Sequence, residues 1–272
     1  MRNYLSTTQR TVTEKYINFF QRGIPNSHIE GYENILKKID ISSVSFFGIL
    51  RGTNLLYEHC VKNAVPFYYM DRPYWGETRN HPFYVKVVKN NHLKNWMETR
   101  PDDRYKKSFP WPIRPWKKDG REIVVCPPSN AIAEFFGVQD WLEKTLTVLK
   151  ANTDRPIIVK TKGYNPIVKR DERGRLIVTG KDNDPPQGKL DWNTVYAIVT
   201  YNSNITLEAT TRGIPCFTDV HNACAPISET DFSKIETPKY TDREPCYHSL
   251  AYGQFTAEEL SNGYAWKVLN ES

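Results

Sequence analysis

The stretch AIVTYNSNITLEATTRGIPCF, residues 197–217, decides the fold. Its first four residues, AIVT, are apolar and mostly β-branched, and they predict a buried strand. Ser203 then opens a helix that runs to Thr211. Gly213 follows that helix, and a second short strand begins at Ile214. A strand, a helix and a strand in so few residues are typical of a parallel α/β sheet.

The same alternation appears on both sides of this stretch. Short apolar runs at 43–50 (SVSFFGIL), 66–70 (PFYYM), 122–126 (EIVVC) and 156–160 (PIIVK) predict further strands. Residues 54–64 and 140–151 have apolar positions at helical spacing. Strands that alternate with helices in both halves predict an α/β protein with two Rossmann-like lobes and a cleft between them.

The remaining segments complete the predicted layout. Residues 161–189 are polar and rich in Gly and Pro, which predicts a mobile loop. Residues 191–196 read as a short helix. A capping box at 256–259 opens a final helix to Leu269, which we expect to cross back to the first lobe. The predicted domains are 1–118 for acceptor binding, 119–250 for donor binding and 251–272 as the C-terminal helix.

Composition narrows the class of protein. Of the 272 residues 39% are hydrophobic and 13% aromatic, enough for a large core. No apolar run approaches the roughly 20 residues of a membrane span, and the N-terminus lacks an apolar signal region. The five cysteines include no CxxC pair, which predicts a cytosol-like location without structural zinc or disulfides. The motifs of P-loop kinases, dinucleotide-dependent dehydrogenases and α/β-hydrolases are absent.

The helix that Ser203 opens is the strongest candidate for a ligand site. Exposed amides at a helix start favour a phosphate, and the side chains of Ser203 and Asn204 can add donors. Glu208 is placed to accept hydrogen bonds from ribose hydroxyls, as an acidic residue does in dinucleotide-binding folds. The alternative is an ordinary turn between a strand and a helix.

These residues resemble the donor-binding lobe of GT-B glycosyltransferases. The signature of that lobe is a strand, a Ser and then E-A-x-x-x-G-x-P, and the match here is Ser203, Glu208-Ala209, Gly213 and Pro215. The resemblance implies that the Glu binds the ribose of a nucleotide sugar and that the helix start holds its diphosphate. It also implies a nucleotide-sugar-dependent transferase, with a UDP-sugar as the expected co-substrate.

Further residues at strand ends are expected to complete the donor site. Ligands bind at the carboxyl ends of strands in open α/β sheets, and a Lys there can neutralise a diphosphate leaving group. The additional donor-site candidates are Arg51, Ser129, Asn130, Lys160 and Lys162. For Arg51 and Lys162 the alternative is a surface residue at a turn or loop. We expect no tightly bound cofactor or essential metal, although a divalent ion could assist the diphosphate.

Inversion at the sugar carbon requires a base for the acceptor hydroxyl. Asp71 is the first candidate, because it ends the strand at 66–70 and is expected to face the cleft. The alternative is an Asp that caps the next turn. His81 is the second candidate. The other five histidines show no ligand spacing and read as ordinary residues.

The uneven distribution of charge along the chain indicates which kind of acceptor to expect. Residues 1–118 contain 20 Lys and Arg against 10 Asp and Glu, a net of +10, whereas residues 119–272 have a net of −4. The basic run at 79–118 is interleaved with seven aromatic residues. The basic side chains can neutralise phosphates, and the rings can stack on bases. The acceptor-binding candidates are Trp75, Trp96, Lys106, Lys107, Lys117 and Lys118.

The expected acceptor is therefore a hydroxymethylated pyrimidine base in DNA, as for a short, phage-like DNA-modifying enzyme of the GT-B type. Two alternatives stay open. One is a transferase for surface or capsular polysaccharide, which predicts no affinity for DNA. The other is a non-catalytic DNA-binding protein, which would use the basic half but leave the phosphate and ribose candidates unexplained.

Overall fold

The computed structural model of this chain describes residues 2–8, 10–76, 84–162, 165–182 and 189–271. Their strands form a six-stranded sheet, a four-stranded sheet and a two-stranded hairpin. Two lobes result, each built around one of the larger sheets. No helix within these ranges is both long enough and apolar enough to cross a membrane.

The first lobe begins the chain and contains five of the strands of the larger sheet. Its strands are β1 (Arg2–Ser6), β2 (Ser27–Glu30), β3 (Ile41–Phe47), β4 (Phe67–Asp71) and β5 (Val85–Lys89). Its helices are α1 (Thr11–Gly23), α2 (Tyr32–Ile35) and α3 (Thr53–Lys62). β1 to β4 are parallel, and β5 runs antiparallel beside β4.

A connecting segment with the short helix α4 (Asp103–Ser108) leads to the second lobe. The strands that follow are β6 (Glu122–Cys126), β7 (Ile157–Val159), β8 (Asn165–Arg170), β9 (Leu176–Asp182), β10 (Val195–Thr200) and β11 (Cys216–Thr218). The helices among them are α5 (Asn130–Phe136), α6 (Trp141–Asn152) and α7 (Ile205–Thr211). The C-terminal elements are α8 (Glu244–Ala251), β12 (Gln254–Phe255), α9 (Ala257–Ser261) and α10 (Tyr264–Asn270).

Both lobes have the same strand order. If the four parallel strands of each lobe are numbered along the chain, both sheets read 2-1-3-4, as β2-β1-β3-β4 and as β7-β6-β10-β11. In sheets of this order, ligands bind at the carboxyl ends of strands 1 and 3, where the connections diverge. Those points lie between β1 and β3 and between β6 and β10. The predicted α/β fold with two Rossmann-like lobes is confirmed.

The central strand of the second lobe shows why this segment folds as predicted. All six residues of β10 are buried, as expected for a parallel strand with helices on both faces. Leu207 and Ala209 of α7 are buried as well, whereas Leu149 of α6 packs on the opposite face. Gly213 has φ +79°, and a Cβ there would lie 1.9 Å from the carbonyl oxygen of Pro115. Only glycine fits this exit from the helix.

The C-terminal segment crosses back to the first lobe, as predicted. β12 adds an antiparallel strand to β5, and the helices α9 and α10 pack with α1 around Phe20 and Leu260. The guanidinium of Arg104, whose side chain is 11% exposed, donates hydrogen bonds to the carbonyl of Gln254 at 2.7 Å and to the Glu259 carboxylate. These contacts tie α4 to the end of the chain.

The predicted loop at 161–189 is wrong for most of its described residues, which form the hairpin β8–β9. Val168 and Leu176 of the hairpin are buried in a core cluster of the first lobe. The amide of Leu176 donates to the buried side chain of Asn54, which donates in turn to the carbonyl of Gly174. Partners from the other lobe stabilise the hairpin, so its own composition did not reveal it.

Two helix predictions also need correction. Residues 191–194 form a turn where a helix over 191–196 was predicted, and β10 already begins at Val195, which pairs with β6. The predicted C-terminal helix is two helices, because Gly263 between them has φ +85°. The capping box at its start is confirmed, with Thr256 and Glu259 each accepting from the other's backbone amide. The strands β1 and β2 and the helices α5 and α8 had not been predicted.

Candidate functional site

The two lobes meet at segments that follow β4, β5, β10 and β11. The side-chain amide of Asn204, at the start of α7, donates a hydrogen bond of 3.2 Å to the carbonyl of Pro73, just beyond β4. The side-chain amide of Asn95 donates at 2.7 Å to the carbonyl of Val220, just beyond β11. We call these four segments, residues 71–75, 91–95, 201–204 and 219–222, the lobe junction.

Asp71 lies at this junction, at the end of β4. One of its carboxylate oxygens accepts from the hydroxyl of Tyr69 at 3.1 Å and lies 3.8 Å from the ammonium of Lys86. The other oxygen accepts from the backbone amide of Arg72 at 2.8 Å. Burial lowers the pKa of Lys86, and the Asp71 charge acts in the opposite direction. The predicted catalytic carboxylate is thus already paired with a buried cation.

His92 is a buried imidazole beside this pair. It is 3% exposed and packs against the rings of Tyr69, Phe136 and His221. Its pKa is well below 6.5 because burial, and then the charges of Lys86 and His221, disfavour its protonated form. Neither ring nitrogen has a hydrogen-bond partner within the described part of the chain. Buried polar atoms of this kind are rare and call for an explanation.

On the second lobe, Asp219 and His221 follow the end of β11. Nδ1 of His221 lies 2.6 Å from Oδ1 of Asp219, and the backbone amide of His221 donates to the same oxygen at 3.1 Å. Burial acts to raise the pKa of the Asp219 carboxyl, but the hydrogen bonds from His221 outweigh it and the pKa is lowered. Asp219 is therefore ionised near neutral pH and fixes the orientation of the imidazole.

The predicted phosphate loop lies beside this pair. Ser203 lies two residues before α7, and its hydroxyl accepts from the amide of Ile205 at 3.4 Å. Its carbonyl accepts from the side chains of Thr206 and Asn222, at 3.1 and 3.3 Å. The structure thus brings Ser203 and Asn204 together with Asp71 at the lobe junction.

Glu208 forms its side-chain hydrogen bonds away from the residues of the lobe junction, with Arg212. Its carboxylate accepts from the guanidinium of Arg212 at 2.8 and 3.2 Å, and that guanidinium lies 4.9 Å from the ring of Trp192. Both charged side chains are about one third exposed. Glu208 is thus paired with Arg212, the residue that directly follows α7, and its predicted role toward ribose stays a prediction.

The other donor-site candidates are spread around the second lobe. Ser129 caps α5, and Asn130 is bonded to Asn165 and to the carbonyl of Pro166, so it holds the start of β8. The backbone amide of Lys160 pairs with β6 at Val125, and Lys162 is exposed.

Arg51 is exposed with φ +64°, and its amide donates to the carbonyl of Leu176 in the hairpin. Among the described residues no group of three His, Cys, Asp or Glu side chains could hold a metal ion. His81 lies outside the described residues.

Among the aromatic acceptor candidates, the prediction for Trp75 needs correction. It is 2% exposed, and its indole donates to the hydroxyl of Ser108 at 3.1 Å, so it packs in a core cluster rather than offering a surface for stacking. Trp96 is 39% exposed. Its indole donates to Glu98 at 2.8 Å, and its ring borders a cavity of ≈ 370 Å³ that Arg100 and Tyr252 also line.

The four lysines that were predicted to bind the acceptor differ in their surroundings. Lys106 pairs with Asp102 at 2.6 Å, and Lys107 is exposed. The ammonium of Lys117 donates to backbone carbonyls of residues 192 and 193 and so holds two segments together. Lys118 is exposed, with its ammonium 5.4 Å from the ring of Tyr240.

From the sequence, His92 and His221 read as ordinary residues, and the Asp219–His221 pair was not predicted. One signal was present: Asp219 follows an apolar strand, and His221 comes two residues later, a spacing at which a carboxylate can turn back onto an imidazole. His92 carries no comparable signal, because its neighbours come from β4, α5 and the second lobe.

Comparison with known proteins bears on the fold. No family model matches the sequence, and neither does any curated protein. The beta Kdo 2,7 transferase of KpsC from Thermosulfurimonas dismutans is similar in structure, with a TM-score of 0.54 and 13% identity over 100% of this chain and 99% of that one. The fold is GT-B-like. The beta Kdo 2,4 transferase of the same KpsC has a TM-score of 0.49 and 12% identity over 90% and 89% of the two chains.

Proposed function

We propose that this chain is a glycosyltransferase that moves a sugar from a nucleotide-activated donor to a hydroxyl of a saccharide acceptor. The hydrogen bond from Asn204 to the carbonyl of Pro73 carries the proposal. It joins the loop after Asp71 in the first lobe to the loop that opens α7 in the second. A donor held at the second loop would thus present its sugar to the first lobe.

The second lobe has strand ends that lead to serine and lysine side chains, which can bind a nucleotide diphosphate. Its switch point lies between β6 and β10, whose ends lead to Ser129 and Ser203 respectively. Lys160 and Lys162 follow the neighbouring strand β7 and can balance phosphate charge. The GT-B-like fold supports this assignment, because a structurally similar protein is described as a Kdo transferase.

A saccharide acceptor accounts for the basic half better than DNA does. Several of its rings and cations already serve the fold: Trp75 is buried, Lys117 binds backbone carbonyls and Arg104 holds the C-terminal segment. What remains near Trp96 is a cavity with one exposed ring and mixed charges, which suits a sugar chain. The net charge of +10 on residues 1–118 still favours DNA as a second candidate acceptor.

The test begins with donor binding and transfer by the full chain. Calorimetry with UDP-glucose, UDP-N-acetylglucosamine, GDP-mannose and nucleotide-activated Kdo identifies the donor. Transfer is then measured to oligosaccharides and to duplex DNA that contains hydroxymethylated pyrimidines. The Ser203→Ala variant is expected to bind the donor more weakly, whereas Ser233→Ala, at a surface turn away from the junction, serves as the matched control. Absence of binding and transfer with every donor would refute the proposal.

A further inference from the structure

The Asp219–His221 pair has the geometry of a positioned base. A carboxylate can only accept, so the hydrogen bond of 2.6 Å places the ring proton on Nδ1 of His221. Nε2 then carries a lone pair that can take up another proton. The Asp219 carboxylate is itself held by the backbone amide of His221, so the two side chains form a compact turn after β11.

The imidazole lies beside the predicted donor loop and is open to solvent. Its side chain is 39% exposed. Its ring stacks on Tyr201 with 5.5 Å between centroids and an angle of 17°. Tyr201 directly follows β10 and begins the loop to Ser203. A substrate at this loop can therefore reach Nε2 from the solvent side.

The first lobe contributes His92 to the same ring cluster, with its centroid 6.3 Å from that of His221. The titratable groups that face His221 are thus Asp219, Tyr201 and His92, with Lys86 beyond His92. Burial keeps His92 neutral near pH 7. A neutral neighbour does not repel an imidazolium that forms on His221.

We propose that His221 accepts the proton of the attacking acceptor hydroxyl, with Asp219 as its positioning residue. The proposal rests on the glycosyl transfer proposed above. The hydroxyl proton passes to Nε2 while the hydroxyl oxygen bonds to the anomeric carbon of the donor sugar. The bond from that carbon to the phosphate oxygen breaks, and its electron pair leaves with the phosphate.

The experiment compares His221→Gln and Asp219→Asn with His28→Gln, an exposed histidine on β2 far from the junction. Each full-length variant is tested with the UDP-sugars and nucleotide-activated Kdo named above. We expect His221→Gln to lower kcat by roughly 10²- to 10⁴-fold and to remove the acid limb of the kcat–pH profile. Donor affinity and melting temperature should match those of the wild type. ¹⁵N NMR of the imidazole is expected to show the Nδ1–H tautomer in the wild type and its loss in Asp219→Asn.

Three outcomes overturn the proposal in distinguishable ways. A wild-type chain without any transfer refutes the proposed function and this assignment together. Transfer by the wild type with an unchanged kcat and acid limb in His221→Gln refutes this assignment alone. If His221→Gln unfolds, His221→Ala with added imidazole replaces it: recovered turnover supports the base, and a folded variant that imidazole does not rescue refutes it.

Discussion

The Asn204 side chain bonds to the carbonyl of Pro73 across the lobe junction at 3.2 Å. This one contact joins the end of β4 to the start of α7, and so joins the Asp71 loop to the Ser203 loop. A second bridge, from Asn95 to Val220, lies between the next loops of the two lobes. The loops of the candidate acceptor side and of the candidate donor side are therefore in direct contact in this conformation of the chain.

The donor site can be tested through Glu208 and its partner. If Glu208 binds ribose, Glu208→Ala removes one or two hydrogen bonds and weakens nucleotide-sugar binding by about 1–3 kcal/mol. Arg212→Ala breaks the same ion pair but leaves the carboxylate, so it is expected to change affinity much less. Calorimetry on both variants decides the matter, and equal effects would assign Glu208 to the ion pair alone.

The two candidate bases can be separated by their variants. If His221 takes the acceptor proton, His221→Gln lowers kcat by roughly 10²- to 10⁴-fold, whereas Asp71→Asn keeps most of the turnover. We expect the acid limb of the kcat–pH profile to be retained in Asp71→Asn and absent in His221→Gln. A limb that persists in His221→Gln and disappears in Asp71→Asn would restore Asp71 as the base.

His92 makes stability depend on pH. Its native pKa is lowered well below 6.5, so below that pH the unfolded chain binds a proton that the native chain does not. Stability is therefore lost as pH falls through the unfolded value, by about 1.4 kcal/mol per pH unit.

The check is urea unfolding at pH 8 and pH 5. His92→Phe keeps a ring among those of Tyr69, Phe136 and His221 and is expected to lose less stability than the wild type over this range. His28→Gln, with its exposed imidazole, should behave as the wild type does. An equal loss in the His92 variant would mean that the native imidazole is protonated.

Substitution of Trp96 tests whether the acceptor is a saccharide that binds beside this ring. Loss of its exposed ring in Trp96→Ala is expected to raise KM for an oligosaccharide acceptor about tenfold, which corresponds to about 1.4 kcal/mol, with donor affinity unchanged. Met97→Ala removes a neighbour that is 47% exposed and does not line the cavity, and should leave KM near the wild-type value. Identical kinetics in both variants would exclude the cavity as an acceptor subsite.

Salt dependence separates a DNA acceptor from a saccharide. With a saccharide acceptor, we expect no measurable duplex binding at about 50 mM salt, a concentration at which non-specific contacts are strong. If duplex DNA does bind, glutamate substitutions at the exposed Lys106, Lys107 and Lys118 should flatten the salt slope. Lys117 is left out, because its ammonium holds backbone carbonyls and its loss would disturb folding.

Local sequence determined the elements whose residues carry their own signal. β10, α7 and the Gly213 exit were predicted, because an unbroken apolar strand, a helical spacing and a glycine with φ +79° act within about 20 residues. The capping box at Thr256 was predicted for the same reason. Asp71 and Ser203 were placed near strand ends because that position follows from the strand boundaries alone.

Only the tertiary structure decided the features whose stabilising partners lie far along the chain. The hairpin β8–β9 reads as a loop until Leu176 meets Asn54 and the first-lobe core, more than 100 residues away. Trp75 became a core residue because Ser108 and the rings around Phe109 enclose it. His92 and His221 come from different lobes and became neighbours only when segments of the two lobes came into contact. Burial and charge at such positions depend on contacts between distant segments, and no local pattern encodes those contacts.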